Sequence, residues 1–176
     1  MRVQWLIPVG TGAATLAQVA YATQYMSVEE AKHAAFSQAT EFRPLPPADA
    51  AAAAAVGAPA GWAPQVFDAR KGDARQGWLI VDRVIGKSEL ITYAVALDAR
   101  GAVISVEVLD YRESHGGEIR LAPWRKQFVG KTGADPVALN QDIKNISGAT
   151  LSCRHITEGV QRLLRLYAVA LQRGAG

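Results

Sequence analysis

Residues Asn145 to Ser152 read Asn-Ile-Ser-Gly-Ala-Thr-Leu-Ser and lead into a helix-like pattern. Three hydroxyls, on Ser147, Thr150 and Ser152, stand around Gly148 and Ala149 at the mouth of that helix. Gly148 permits a close backbone approach or a positive φ that other residues resist. A helix start leaves N–H groups unpaired and carries a positive partial charge. A phosphate placed there is stabilised without any lysine. Were it esterified to the Thr150 hydroxyl, the ligand could not dissociate, and Ser152 could add a hydroxyl to the same oxygens. The plainer alternative is that Ser147 or Thr150 simply caps the helix, which is the commonest use of such residues.

A second group lies upstream. Glu113, His115, Gly116 and Gly117 follow directly on a strand pattern and break it. Turn chemistry alone would account for the paired glycines. Trp124 follows in a short helical stretch, where a Trp is more often buried than used for a ligand. The stretch Val129 to Thr132, Val-Gly-Lys-Thr, hints at a P-loop, but Arg125 stands where that motif requires its first glycine. Three histidines (His33, His115, His155) and the single Cys153 show no zinc spacing. One cysteine excludes an intrachain disulfide, and Cys153 reads as a small buried helix residue.

The elements that must position these residues form an α+β pattern. Ser27 and Glu30 make a capping box before a short helix whose apolar stripe is Val28, Ala31, Ala35 and Phe36. Residues 43–65 are rich in Ala and Pro. The alanine run allows a helix, but the composition suggests a poorly packed surface excursion. Three strand patterns follow: residues 77–86, 89–98 and 102–111. In the second, Ile91, Tyr93, Val95 and Leu97 alternate with Thr92, Ala94 and Ala96. In the third, Ile104, Val106 and Val108 oppose Ser105 and Glu107. They predict an antiparallel meander with one face toward a core. One or two helical turns start at Pro123, a good first-turn residue. The last helix carries Ile156, Val160, Leu163, Leu164, Tyr167 and Leu171 on one stripe.

The chain has 176 residues, enough for one domain with a real core. A net charge of +3 with scattered Lys and Arg gives no nucleic-acid footprint. Residues 3–22 carry no charge and end in Ala20-Tyr21-Ala22, a small-x-small cleavage pattern. Residues 1–22 are therefore expected to be an export signal, or alternatively an N-terminal anchor, with a folded domain over 23–176. Export implies a periplasmic or otherwise extracytoplasmic location, whether free or membrane-associated.

Several segments together resemble the FMN-binding domain family, as found in Rnf-type complexes, sodium-pumping NADH:quinone reductases and NosR-type proteins. Ile-Ser-Gly-Ala-Thr-Leu-Ser resembles its flavinylation motif. Tyr111 to Ile119 and Trp124 to Lys131 resemble its Glu-x-x-Gly-Gly loop and its Trp…Phe-x-Gly segment. Residues 28–36 resemble its N-terminal helix, and residues 90–103 its central hairpin. The likeness spans most of residues 27–170. It implies FMN as cofactor, carried by Thr150 through a phosphodiester that a flavin transferase installs. Ser147, Gly148, Ala149 and Ser152 would complete the phosphate end. Gly116 and Gly117 would lie against the isoalloxazine, with Glu113 and His115 at its polar edge and Trp124 near the ring. The resemblance also implies electron transfer with a membrane redox protein as donor or acceptor. A non-covalent FMN-binding sensor or assembly module, and a small flavin-dependent reductase, are the alternatives. One departure stands out: the family's aspartate six residues before the threonine is here Lys144, with Asp142 two residues further back.

Overall fold

The computed structural model describes residues 23–172. The signal or anchor expected over residues 1–22 lies outside them. A six-stranded antiparallel sheet organises the fold, made of β1 (Thr23–Gln24), β2 (Glu41–Pro44), β3 (Gln65–Lys71), β4 (Ala74–Ile85), β5 (Leu90–Asp98) and β6 (Val103–Tyr111). Its order is β1-β6-β5-β4-β3-β2. The helices are α1 (Val28–Ala35), α2 (Ala50–Ala55), α3 (Ala122–Arg125) and α4 (Thr150–Leu166). This is the expected α+β architecture, with the predicted meander β4-β5-β6 at its centre. Among the described residues no helix is long and apolar enough to cross a membrane.

Both faces of the sheet are covered, where the alternation predicts only one. Ile91, Tyr93, Val95 and Leu97 point to the face that α4 covers, together with Trp78, Ile80 and Val84. On the other face Ala94 and Ala96 join Leu79, Val81 and Leu109 beneath α1. Alanines read as the polar-side filler of a half-exposed strand, yet their small size is what lets a second helix sit close. The β5–β6 register slips between Ala96 and Leu97, so Ser105 pairs with Ala96 and Val103 with Leu97. Ile104 thereby turns to the α1 face, away from Val106 and Val108, with which strict alternation groups it.

Ser27 caps α1 as its spacing predicts, with the Glu30 amide donating to its hydroxyl at 3.1 Å and the Ser27 amide donating to Glu30 at 2.7 Å. The Ala/Pro-rich segment is better packed than its composition suggests. Asp49 caps α2, Val56 is buried in the main core, and the Trp62 indole N–H donates to Asp82 at 2.9 Å. One aromatic anchor and one carboxylate under the sheet fasten an otherwise featureless stretch. The same carboxylate accepts from the fully buried Tyr93 hydroxyl at 2.9 Å. Burial, with the Asp82 charge beside it, pushes the Tyr93 phenol well above its ordinary range, so it stays a donor.

Helix α4 is the larger covering element. Ile156, Val160, Leu163 and Leu164 recur on one stripe and are essentially inaccessible. Each such side chain contributes about 1.5–3 kcal/mol of transfer free energy. That burial fixes the start of α4, and hence Thr150, against the sheet.

Candidate functional site

The start of α4 has no side-chain cap. Its N-cap is Ala149 (φ −118°, ψ 18°), and Thr150 is its first helical residue. The expectation that Ser147 or Thr150 caps the helix therefore fails: the turn places Ser147 too early and Thr150 too late. The capping position is occupied by a methyl group that is itself buried. The turn into the helix passes through Gly148 at φ +86°, a left-handed conformation that favours glycine. The N–H groups of the first turn are thus left to water or a ligand. Thr150 is exposed, and its hydroxyl accepts from the Asn145 side-chain amide at 3.0 Å.

Two adjoining clefts of about 510 and 540 Å³ meet at this turn. Both volumes lie in the range of about 300–1,000 Å³ usual for small-molecule sites. The first is bounded by Gly148 to Ser152 on one side, by Lys87 and Ser88 on another, and by Glu113 to His115 on a third. The second continues past Gly116 and Gly117 to Arg120 and Tyr25. Glu113, Ser114, His115 and Gly148 border both, so the two form one groove. The groove unites Gly148, Ala149, Thr150 and Ser152 with Glu113, His115, Gly116 and Gly117, which lie over thirty positions apart in sequence.

Trp124 is not on the groove. It is buried, packs edge-on against Phe128 at 5.2 Å, and donates to the Lys144 carbonyl at 2.8 Å. It holds the loop before α4 rather than touching the cleft. Ser147 is exposed on the same turn but does not line the groove.

Glu113 is a brace. Its Oε1 accepts from the amides of Ser88 at 2.6 Å and Glu89 at 2.9 Å, fastening the β4–β5 connection to the loop after β6. Burial raises its pKa, but bonds from the Glu89, Ser88 and Lys87 amides outweigh this and hold the carboxyl below its usual range. The folded-state pKa is depressed, so this brace contributes stability above the unfolded value and loses it as pH falls through the folded one.

Tyr111 is a groove residue that sequence reasoning missed. Its hydroxyl donates to the His115 carbonyl and lies 3.3 Å from Ser152 Oγ. It ties the glycine loop to the first turn of α4, which strand periodicity alone could not reveal. Its sequence signals are its position as the last residue of a strand pattern and its place at the head of the segment that resembles the family's loop. Ser152 is buried, and its hydroxyl faces this tyrosine. Cys153 is wholly buried, and burial pushes its thiol up, in line with a packing role.

The two loop glycines differ. Gly116 has φ +84°, and a Cβ there would sit 2.8 Å from the Tyr111 hydroxyl and 3.2 Å from the Ala149 methyl. At Gly117 a Cβ would meet only the flexible tip of Arg120, at 2.9 Å. Gly116→Ala is therefore expected to lower stability by about 1–3 kcal/mol, whereas Gly117→Ala stays within about 0.5 kcal/mol of the parent. Urea denaturation of both variants checks this, and equal losses would refute the distinction.

Asp142 does not substitute for the aspartate displaced by Lys144. Its oxygens accept from the Ala138 amide at 2.8 Å, the Val137 amide at 3.2 Å and the Lys131 ammonium at 2.8 Å. Burial opposes ionisation, yet these donors hold its carboxyl below the usual range. Lys144 itself is exposed, with its amide donating to Gln127 at 2.8 Å.

Comparison with known proteins agrees with this arrangement. Residues 86–165 match the model of the FMN-binding domain family. A subunit of the ion-translocating oxidoreductase complex of Stutzerimonas stutzeri is 29% identical over 115 residues, covering 59% of this chain and 50% of that protein. The chain thus spans about half the length of this relative. The matched segment contains the uncapped α4 start, the glycine loop and the β4–β5 connection, the three walls of the groove. An anionic phosphate end suits the uncapped helix start, and the groove has the volume for the rest of the group, so the residues present fit it. Residues 86–165 thus match an FMN-binding domain, and the match supports FMN as the cofactor.

Proposed function

We propose that this protein is an extracytoplasmic electron carrier whose FMN is attached by a phosphoester to Thr150. The observation that carries the reading is an exposed threonine hydroxyl on the first residue of an uncapped helix, opening into a groove large enough for a cofactor. The helix start favours the phosphate charge at that point. Bound flavin supplies redox chemistry, and the protein supplies attachment, orientation and tuning. Ser147, Gly148, Ala149 and Ser152 shape the turn that presents the hydroxyl. Gly116 and Gly117 offer the wall against which a planar ring could rest, with Glu113 and His115 at its border.

Partners follow by the same reasoning. The relative is named as part of an ion-translocating oxidoreductase complex. This chain would accordingly exchange electrons with a membrane redox protein, after a flavin transferase has loaded it. The proposed domain runs over residues 23–176, and residues 1–22 would serve as export signal or anchor. The chief alternative is non-covalent FMN binding by a sensor or assembly module, favoured by Lys144 at the position where the family motif has a carboxylate. A small flavin-dependent reductase is the other.

One preparation separates these. Protein co-expressed with a flavin transferase is denatured and run on a gel. A fluorescent band at the protein's mass supports attachment, while loss of flavin on denaturation supports the sensor. Turnover of an added donor without any protein partner would favour the reductase. N-terminal sequencing of protein from the cell envelope should begin near Thr23, and full-length protein confined to the cytosol would contradict export.

A further inference from the structure

The connection between β4 and β5 is built more firmly than an ordinary hairpin turn. Glu113 Oε1 accepts two of its amides, and the Gly86 amide donates to the Glu89 carbonyl at 2.7 Å. From the other side His155, one turn into α4, reaches the carbonyls of Ile85 at 2.6 Å and Gly86 at 3.1 Å through Nδ1. Carbonyls only accept, so Nδ1 carries the proton and donates. Gly86 is required here, because a Cβ would sit 2.5 Å from Glu113 Oε1. The loop is therefore locked to both other walls of the groove. What it carries into the groove is Lys87, with Ser88, lining the same cleft as Thr150.

The charge balance gives that placement a purpose. The carboxylate on this wall, Glu113, is consumed by backbone donors. Lys87 forms no contact ion pair among the described residues, its charge acting on Glu113 only from beyond contact distance. The positive end of α4 faces the same space. We propose that Lys87 is the specificity residue of the groove, recognising the phosphate of FMN and discriminating it from the uncharged, unphosphorylated flavin. Glu113 and His155 are positioning residues that hold the Lys87 loop. The proposal rests on the FMN site described above and assigns a role that neither the flavinylation motif nor the glycine loop supplies.

The full chain, produced without a flavin transferase, is titrated with FMN and with riboflavin, and binding is followed by flavin fluorescence. The parent should bind FMN about tenfold more tightly than riboflavin, the scale of one charge-assisted contact. Lys87→Met should remove most of that preference while leaving riboflavin affinity unchanged, and Lys87→Arg should retain it. Lys87 is exposed, so Met leaves the fold intact. Glu113→Gln should reduce the FMN preference in the parent but not further in Lys87→Met, as expected if it acts through the lysine. An undiminished preference in Lys87→Met, or equal binding of both flavins by the parent, overturns the role of Lys87 and leaves the FMN site standing. Additive losses from Glu113→Gln and Lys87→Met overturn the positioning role of Glu113. A parent that binds neither flavin overturns the site as well.

Discussion

Thr150→Ala protein, co-expressed with a flavin transferase, is expected to lose the FMN mass increment completely while keeping its fold. Attachment needs an oxygen at this position, and alanine offers none. The structural loss is small. Thr150 is exposed and is not the helix cap, so the cost of removing a cap does not apply. Only the bond from the Asn145 amide is lost, worth about 1 kcal/mol or less between exposed groups. Intact-mass spectrometry reads the attachment, and circular dichroism with thermal melting reads the fold. Thr150→Ser keeps a hydroxyl and should retain partial attachment. An unchanged increment on the alanine variant would place the ester elsewhere.

Gly159→Ala should give the largest loss of stability among single-methyl additions to α4. The new Cβ would fall onto the Tyr93 hydroxyl, and it would stand 2.9 Å from Tyr93 Cζ and 3.2 Å from Val84 Cγ1. Tyr93 is fully buried and bonded to Asp82, so neither ring nor strand can yield freely. Overpacking of this kind costs about 1–3 kcal/mol or more. Displacing the phenol also strips one donor from a buried carboxylate. The better helix propensity of alanine returns only about 1 kcal/mol. A net loss of about 3 kcal/mol is expected, read as a shift in the urea midpoint. Removing the hydroxyl should relieve part of the clash, so Gly159→Ala in a Tyr93→Phe background should cost at least about 1 kcal/mol less. Equal costs in both backgrounds would show that the hydroxyl is not the obstacle.

What was legible in the sequence was local and periodic. The capping box of Ser27 and Glu30, the meander β4-β5-β6 and the stripe of α4 each depend on neighbours within a few residues, and each stands as expected. Strand β3 was not foreseen, and Asp68 sits in its middle. It is buried, with Arg75 at 2.8 Å and Arg70 at 3.1 Å as its partners. Burial alone would raise its carboxyl, but these guanidinium groups hold it below the usual range. Arginines from β3 and β4 thus supply what periodicity cannot encode. The second buried face escaped for a related reason: Ala94 and Ala96 are apolar but small, and only α1 lying above them shows their use.

The groove was legible in two halves. The turn before α4 and the glycine loop could be marked from residue types, and the structure sets them side by side. Their division of labour could not be marked. Glu113 reads as a ligand group and proves to brace a loop, while Lys87 carries no motif and Tyr111 only heads the segment that resembles the family's loop. Trp124 reads as a ring contact, yet its indole N–H is already engaged by Lys144. These assignments depend on contacts across 20 to 41 positions, between elements that meet only in the finished fold.

The groove's three walls come from residues 87–88, from the stretch 111–121 and from the start of α4, in that order of synthesis, with Tyr25 at one end. The Thr150 hydroxyl, the proposed attachment point, belongs to the wall made last, and α4 must seat its Ile156 and Val160 side chains on the completed sheet before Thr150 is held in place. Under the proposed attachment, loading would thereby be a checkpoint on maturation: a chain still emerging, or one whose α4 has not docked, does not yet present the assembled groove. Attached flavin would in that case report that the domain had finished folding before it entered service.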